Sequence, residues 1–391
     1  MLTPADPLVP ASDPSAWERV APADAGFDPA KLQAAVDHAL ASESPWPKSL
    51  YYPDGRYVGT VEWNEKGPWG EIVGPVIPRG GPAGVILKGG RIAAEWGEIA
   101  RADMTFSIAK SYLAILAGLA SDDRLIAVDD PVSKTVDDPL FKSAHNVPIT
   151  WRHFLHQASE WQGVLFEKSD QVDHNRQLGA GADNSRKGEA RALQPPGTFY
   201  EYNDVRVNAL SYALLLRFGR ALPDVLKERV MDPIGASQEW TWNGYRNSWV
   251  DVNGAPVQSV PGGSHWGGGL FISALDHARV GLLIARNGRW GCQQILSQGW
   301  IDAMLTPSAT NRDYGFLCWL NADRKRTPAA SASSAFALGA GNNYIWVDRE
   351  RDLVVVVRWM DQTKFNGFAE HVMAALGWGS RGATGNAPSA P

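Results

Sequence analysis

Apolar residues fall along this chain in two rhythms, and the switches between them mark its elements. Asp28-Pro29-Ala-Lys-Leu32-Gln-Ala-Ala-Val36-Asp-His-Ala-Leu40 repeats its apolar positions at helical spacing behind an Asp-Pro cap, which predicts a helix. Gly84 to Gly97 instead holds two β-rich runs around Gly89-Gly90, a hairpin signal. Thr105-Phe-Ser107-Ile-Ala-Lys110-Ser-Tyr112 leads into the wholly apolar stretch Leu113–Ala120, so a buried helix is expected there. Helical patterns return behind Thr150, over Val205–Phe218 and Leu222–Val230, behind Ser273, and over Trp300–Leu305. The chain closes with strand-like runs at 314–320, 335–340, 343–348 and 352–359 and a helix around Phe368–Leu376. Strands therefore occupy both ends of the chain and helices its middle.

Three stretches carry no period. Residues 42–80 are rich in Pro, Gly and Trp, and so long an irregular connection points to a functional segment or an insertion. Residues 160–195 are polar and Gly-rich, as a rim or lid over a site would be, and 240–266 read as loop.

Composition narrows the classes. With 391 residues, 44% hydrophobic and 20% charged, the chain is globular and long enough for one large domain or two. A formal net charge of -5 argues against nucleic acid or an anionic membrane as partner. Two cysteines, Cys292 and Cys318, exclude a disulfide scaffold, and the eight histidines contain no His-Glu-x-x-His spacing, so no metal is expected. The start has neither a basic nor an apolar leader region, and no apolar run reaches membrane-spanning length. A cytoplasmic enzyme is the expectation, an exported form with its signal removed being the alternative.

The candidate chemistry lies at Ser107. On a helix, positions three apart share a face, so the Lys110 amine can reach the Ser107 hydroxyl, and Ser107 is the only serine with a lysine three places on. Acyl transfer needs a nucleophile, a proton acceptor and donors for an oxyanion, and this pair supplies the first and part of the second. The competing reading is a capped, buried helix with an ordinary lysine.

Ser107-x-x-Lys110, a tyrosine element after Pro196-Gly197, Gly268-Gly-Leu-x-x-Ser273 and a late Gly-rich strand follow one another in the order found in serine β-lactamase-like hydrolases. The chain resembles that family over roughly residues 80–375, in the style of class C β-lactamases, family VIII carboxylesterases, D-aminopeptidases and 6-aminohexanoate-dimer hydrolases. The resemblance implies an α/β (α+β) fold with an antiparallel sheet flanked by helices and an inserted helical lobe. It divides the chain into an N-terminal extension (1–25), an α/β lobe (26–125 with 270–380), a helical lobe with substrate loops (126–269) and a flexible tail (381–391). It makes Ser107 the nucleophile, Lys110 the motif lysine and Tyr202 the general base. Asp204 stands where the family usually has Asn, which favours a protonated Lys110. Tyr245-Arg-Asn247 is a competing match to the tyrosine element. Gly339-Ala340-Gly341 replaces the family's Lys/His-containing third motif, and one N–H from this strand would join that of Ser107 in an oxyanion hole. Asn342, Trp161 and Trp266 are candidate cleft residues, whereas Gly268–Ser273 and His156 are given structural roles.

The implied function is cofactor-free hydrolysis of a small-molecule ester or amide through an acyl-enzyme. Loss of the third-motif cation favours carboxylesters over penicillin-type substrates. An amidase or peptidase of the 6-aminohexanoate-oligomer or D-amino-acid type comes next, then a β-lactamase. A non-catalytic binding or sensing relative is the alternative of another class.

Overall fold

In the computed structural model, residues 8–179 and 181–378 are described; the expected tail at 381–391 and residues 1–7 of the extension lie outside them. The elements that position the site are, in chain order, α1 (Pro29–Ala41), β1 (Ala83–Lys88), β2 (Arg91–Trp96), β3 (Asp103–Met104) and α2 (Ile108–Asp122). They continue with α3 (Trp151–Leu155), α4 (Asp204–Phe218), β4 (Thr241–Asn243), β5 (Trp249–Val252), β6 (Ala255–Gln258), β7 (Gly269–Ile272) and α5 (Ala274–Ala285). Last come β8 (Trp319–Leu320), β9 (Ser334–Gly339), β10 (Asn343–Asp348), β11 (Leu353–Arg358) and α6 (Phe365–Ala375).

A six-stranded sheet runs in the order β8-β9-β10-β11-β1-β2, with every neighbouring pair antiparallel. The two ends of the chain meet where β1 pairs with β11, so the sheet cannot form until the whole chain is made. Alternation along β10 shows both faces covered. Ile345 and Val347 point toward Gly281 of α5, while Tyr344 and Trp346 meet Phe365 of α6. Gly281 is required by this closeness, since a Cβ there would stand 2.6 Å from Val354. Burial on both sides is why β11, Leu-Val-Val-Val-Val-Arg, reads as an unbroken apolar run and not an alternating one.

Local signals account for the element ends. Asp28 accepts from the N–H groups of Ala30 and Lys31, capping α1. Gly89 and Gly90, at φ 62° and 79°, make the β1–β2 turn. Gly219, at φ 64°, ends α4. The expected loop at 240–266 contains structure instead. It holds β4 and the β5–β6 hairpin, whose turn is Asn253-Gly254 at φ 56° and 84°. Asn-Gly tolerates positive φ at both central residues, which is what a two-residue hairpin demands.

α2 is the axis of the interior. Every residue from Ile108 to Ala120 is buried, so this helix has no solvent face. β3, β7 and β4 form a small second sheet beside it, in the order β3-β7-β4, and the Thr105 N–H continues that pairing to Leu270 O at 2.9 Å. Gly268-Gly-Leu270 thus supports the turn that enters α2. Cys292 and Cys318 are both free thiols. Among the described residues no helix is long and apolar enough to cross a membrane.

Candidate active site

The entry to α2 is strained. Phe106 has φ 50°, a region that costs an aromatic residue on the order of 1–3 kcal/mol. Its ring is held edge-on by Trp46, Trp63 and Trp359 at 5.5, 6.4 and 6.2 Å, which fixes the turn. Ser107 follows as the N-cap residue of α2, yet its side chain makes no capping bond. A serine kept for capping would accept from an N–H two or three residues on. The Ser107 Oγ instead accepts from Lys110 Nζ at 2.9 Å.

Lys110 is buried and fully engaged. Beyond Ser107 it bonds Asp204 Oδ1, in a very close pair, and Gly262 O at 3.2 Å. Burial alone would pull the lysine pKa down, but Asp204 and Tyr202 outweigh it, so the net shift is upward and Lys110 is an ammonium. Asp204 is driven the other way. Burial raises its pKa, Lys110, Arg176 and His265 lower it further, and the result lies well below the ordinary carboxylate range.

Asp204 opens α4 and is a hub. Its Oδ2 accepts from Arg176 at 2.8 Å and pairs with His265 Nδ1 at 2.9 Å, while its backbone N–H donates to Asp173 at 2.7 Å. His265 Nε2 meets Glu65 in another very close pair, and Lys187 bridges Glu65 and Asp173. Burial lowers the histidine pKa, Glu65 and Asp173 more than offset it, and His265 titrates above its usual value. Three carboxylates thus face three permanent cations and one histidine, all with buried side chains. Burying an ion unpaired costs several kcal/mol, so such a set persists only when its charges balance and its lone pairs are filled. Glu65, Asp173 and His265 are close enough to share a cation, and the Lys187 ammonium lies against both carboxylates.

Tyr202 sits just before this helix, with Asn203 as the cap accepting from Arg206 N–H. Its ring lies 4.7 Å from Lys110 Nζ and 5.2 Å from the Arg176 guanidinium, and stacks on Trp319 at 5.7 Å and 19°. Among the described residues no hydrogen bond joins the Tyr202 hydroxyl to Ser107. Tyr245, the competing tyrosine, is buried against Trp266, and its hydroxyl accepts from Asn208 Nδ2 at 3.3 Å. Among the described residues no hydrogen bond or ring contact links it to Ser107 or Lys110.

The opposite wall is the end of β9. β8 covers only Ala335 and Phe336, so the Ala337–Gly339 edge is open toward α2. Gly339 presses against Thr105, where a Cβ would fall 2.1 Å from the Thr105 oxygen. Ala340-Gly341-Asn342 forms the hairpin turn to β10, with Gly341 and Asn342 at φ 71° and 55°. Ala340 packs against the apolar cluster that contains Phe106 and Trp359, which keeps this turn beside the entry to α2.

Two expected cleft residues are elsewhere. Trp161 is fully buried with its Nε1 on Leu140 O at 2.9 Å. Trp266 is also fully buried, stacked flat on His265 at 4.2 Å and bonded to Trp69 O at 2.7 Å, so it backs the ion network. His156 packs against Phe316, and burial brings its pKa down to about 4, fitting its structural role.

Other participants come from the segments without period. Residues 42–80 deliver Trp46, Trp63 and Glu65; 160–195 deliver Asp173, Arg176 and Lys187. Gly262-Gly263 cross directly over the pair, and a Cβ on Gly263 would lie 3.3 Å from Lys110 Nζ and 3.5 Å from Ser107 Oγ. A cavity of about 520 Å³ opens beside Tyr202, with Asn175–Leu178 and Trp319 in its wall.

The Beta-lactamase family model matches residues 83–375 of this chain. No curated protein matches it. Among solved structures it is similar to a Bacteroides dorei protein assigned as a beta-lactamase, with 17% identity, TM-score 0.56, 76% of this chain and 93% of that one covered. It is also similar to a Bacillus anthracis protein assigned as a 6-aminohexanoate-dimer hydrolase (16% identity, TM-score 0.53, 75% and 78% covered). EstCE1, a hydrolase with promiscuous acyltransferase activity, gives 15% identity, TM-score 0.54, and 76% and 93% covered. These likenesses establish the β-lactamase and penicillin-binding-protein fold, and with the family match over most of its length the chain belongs to the beta-lactamase family of serine hydrolases.

Proposed function

We propose that this protein cleaves an ester or amide bond of a small molecule through an acyl-enzyme on Ser107, with carboxylesters preferred. The observation that carries the reading is a helix-capping serine that forgoes its cap and accepts from a buried lysine ammonium. Ser107 Oγ attacks the carbonyl carbon, and its proton passes to Tyr202 acting as general base. The carbonyl oxygen becomes an oxyanion facing the Ser107 N–H and an N–H of the Gly339–Gly341 turn. Tyr202 returns the proton to the leaving group as the C–O or C–N bond breaks. Water then attacks the ester on Ser107 and gives its proton to Tyr202, which hands it to Ser107 Oγ as the acyl C–Oγ bond breaks and the acid is released. Lys110 keeps its proton throughout, because Asp204 holds it, and offsets the charge developing on Ser107 and Tyr202.

The substrate preference rests on Gly339-Ala340-Gly341, where no side chain supplies a cation for a penicillin-type carboxylate. The name of the Bacillus anthracis neighbour favours amides as the second reading. A 4-nitrophenyl ester, a 4-nitroanilide and a chromogenic cephalosporin, assayed side by side, test the proposal. The expected order is ester, then anilide, then cephalosporin. Turnover of the cephalosporin alone would overturn the ester preference, and turnover of none would overturn the hydrolase reading.

A further inference from the structure

Among the described residues, the cavity beside Tyr202 has one cation in its wall, Arg326, that is left without a counter-ion, and the carboxylates Asp183 and Asp313 in the same wall form no ion pair either. Arg176 is tied to Asp173 and Asp204, Arg186 to Glu189, and Glu201 to Arg191 and Arg206. Arg326 has no such partner: among the described residues no carboxylate lies within ion-pair distance and no acceptor takes its hydrogen bonds. Its guanidinium lies 3.7 Å over the Trp319 ring, and Trp319 in turn stacks on Tyr202. A guanidinium held over an indole ring takes no hydrogen-bond acceptor from it, which leaves its N–H donors available. The guanidinium edge matches a carboxylate, which it binds through two parallel bonds.

The surroundings do not neutralise this cation. Tyr344, Tyr200, Asp313 and Tyr202 face it, and Asp313 is the one carboxylate among these four. The Asp313 carboxylate stays beyond ion-pair range, and its Oδ1 is buried. Arg326 by contrast is exposed on the cavity wall. Desolvation pushes its pKa down, yet arginine keeps its proton in proteins, so a charged guanidinium stands in the wall of a chamber next to Tyr202.

We propose that this cavity is a subsite for a carboxylate that the substrate carries on one side of the scissile bond, gripped by Arg326 against Trp319. The inference rests on the hydrolase reading above and names the substrate class for it: anionic esters or amides.

Two ester pairs test it. In one the charge is on the acyl side, 4-nitrophenyl hydrogen adipate against 4-nitrophenyl hexanoate. In the other it is on the leaving side, 3-acetoxybenzoate against phenyl acetate. In one pair the wild type is expected to favour the charged ester at least about tenfold in kcat/KM. Arg326→Gln should remove that advantage through KM while changing the neutral ester less than about twofold, and Arg326→Lys should restore part of it. Equal losses on charged and neutral esters, or no loss in either pair, would overturn the subsite. If none of the four esters is cleaved, the hydrolase reading fails and the subsite is decided by calorimetry with adipate. Binding by the wild type that weakens about tenfold in Arg326→Gln supports it; no binding, or equal binding, rejects it.

Discussion

Lys110 and Arg326 are two cations in the surroundings of Tyr202, and the fold treats them oppositely. Lys110 is buried with every proton of its ammonium directed, to Ser107, Asp204 and Gly262. Arg326 lies over the face of an indole in the wall of a cavity, with no ion pair among the described residues. The difference matches the tasks proposed for them. A charge that must hold a reacting group in place is paired, and its field is spent on fixed neighbours. A charge meant for a ligand is supported by a neutral surface that leaves its donors available. The ion network behind Lys110 extends the same logic outward, since Asp204 is itself fixed by Arg176 and His265, and His265 by Glu65.

The paired side can be broken in steps of decreasing size. Ser107→Ala should remove turnover, by a factor of about a thousand or more, with the fold intact by circular dichroism. Tyr202→Phe should lower kcat about a hundred- to ten-thousandfold and leave KM for a neutral ester nearly unchanged. Asp204→Asn restores the usual family residue but leaves Lys110, Arg176 and His265 around a neutral amide. Removing one member of a buried ion cluster costs about 3–5 kcal/mol, measurable by urea unfolding. The same variant should shift the Lys110 proton loss to lower pH, seen as earlier decline on the alkaline limb of the pH–rate profile, because Asp204 is what raises the lysine pKa.

His265 gives a smaller, pH-dependent effect. Its folded pKa lies above the ordinary 6.5, so the protonated form binds more tightly in the folded state. The stability this contributes is complete below the unfolded value and is lost as pH rises through the folded one. Unfolding free energy of the wild type should therefore fall above pH 6.5, and His265→Gln should flatten that part of the curve. Asp204 has the opposite sign. Its depressed pKa contributes stability above the ordinary carboxylate value of 3.8, lost only in strong acid. Tyr245→Phe is the smallest change: activity should stay within about twofold, since only the bond to Asn208 is lost.

What could be read from the sequence follows from how local each signal is. The Asp28 cap, the Gly89-Gly90 turn and the all-apolar α2 are set by neighbouring residues, and each lies where periodicity places it. Ser107, Lys110, Tyr202 and Asp204 are legible because motif spacing links them, and the structure brings these four side chains together. Glu65 and His265, which meet directly, are 200 residues apart. Charged groups in stretches without period read as solvated, and only the closed fold reveals that 42–80 and 160–195 pack their charges against one another. The same blindness placed Trp161 and Trp266 in the cleft, where composition suggests aromatic ligand contacts but packing takes both into the interior. Arg326 lies in the run Asp323-Arg-Lys-Arg326, which in sequence is an ordinary polar turn.

The central claim is that Ser107 carries the acyl group. Incubation with a fluorophosphonate, followed by intact-mass measurement and peptide mapping, tests it most directly. A single adduct on the Ser107 peptide, absent from Ser107→Ala, is the predicted result. No adduct, or one on another residue that persists in Ser107→Ala, would contradict it.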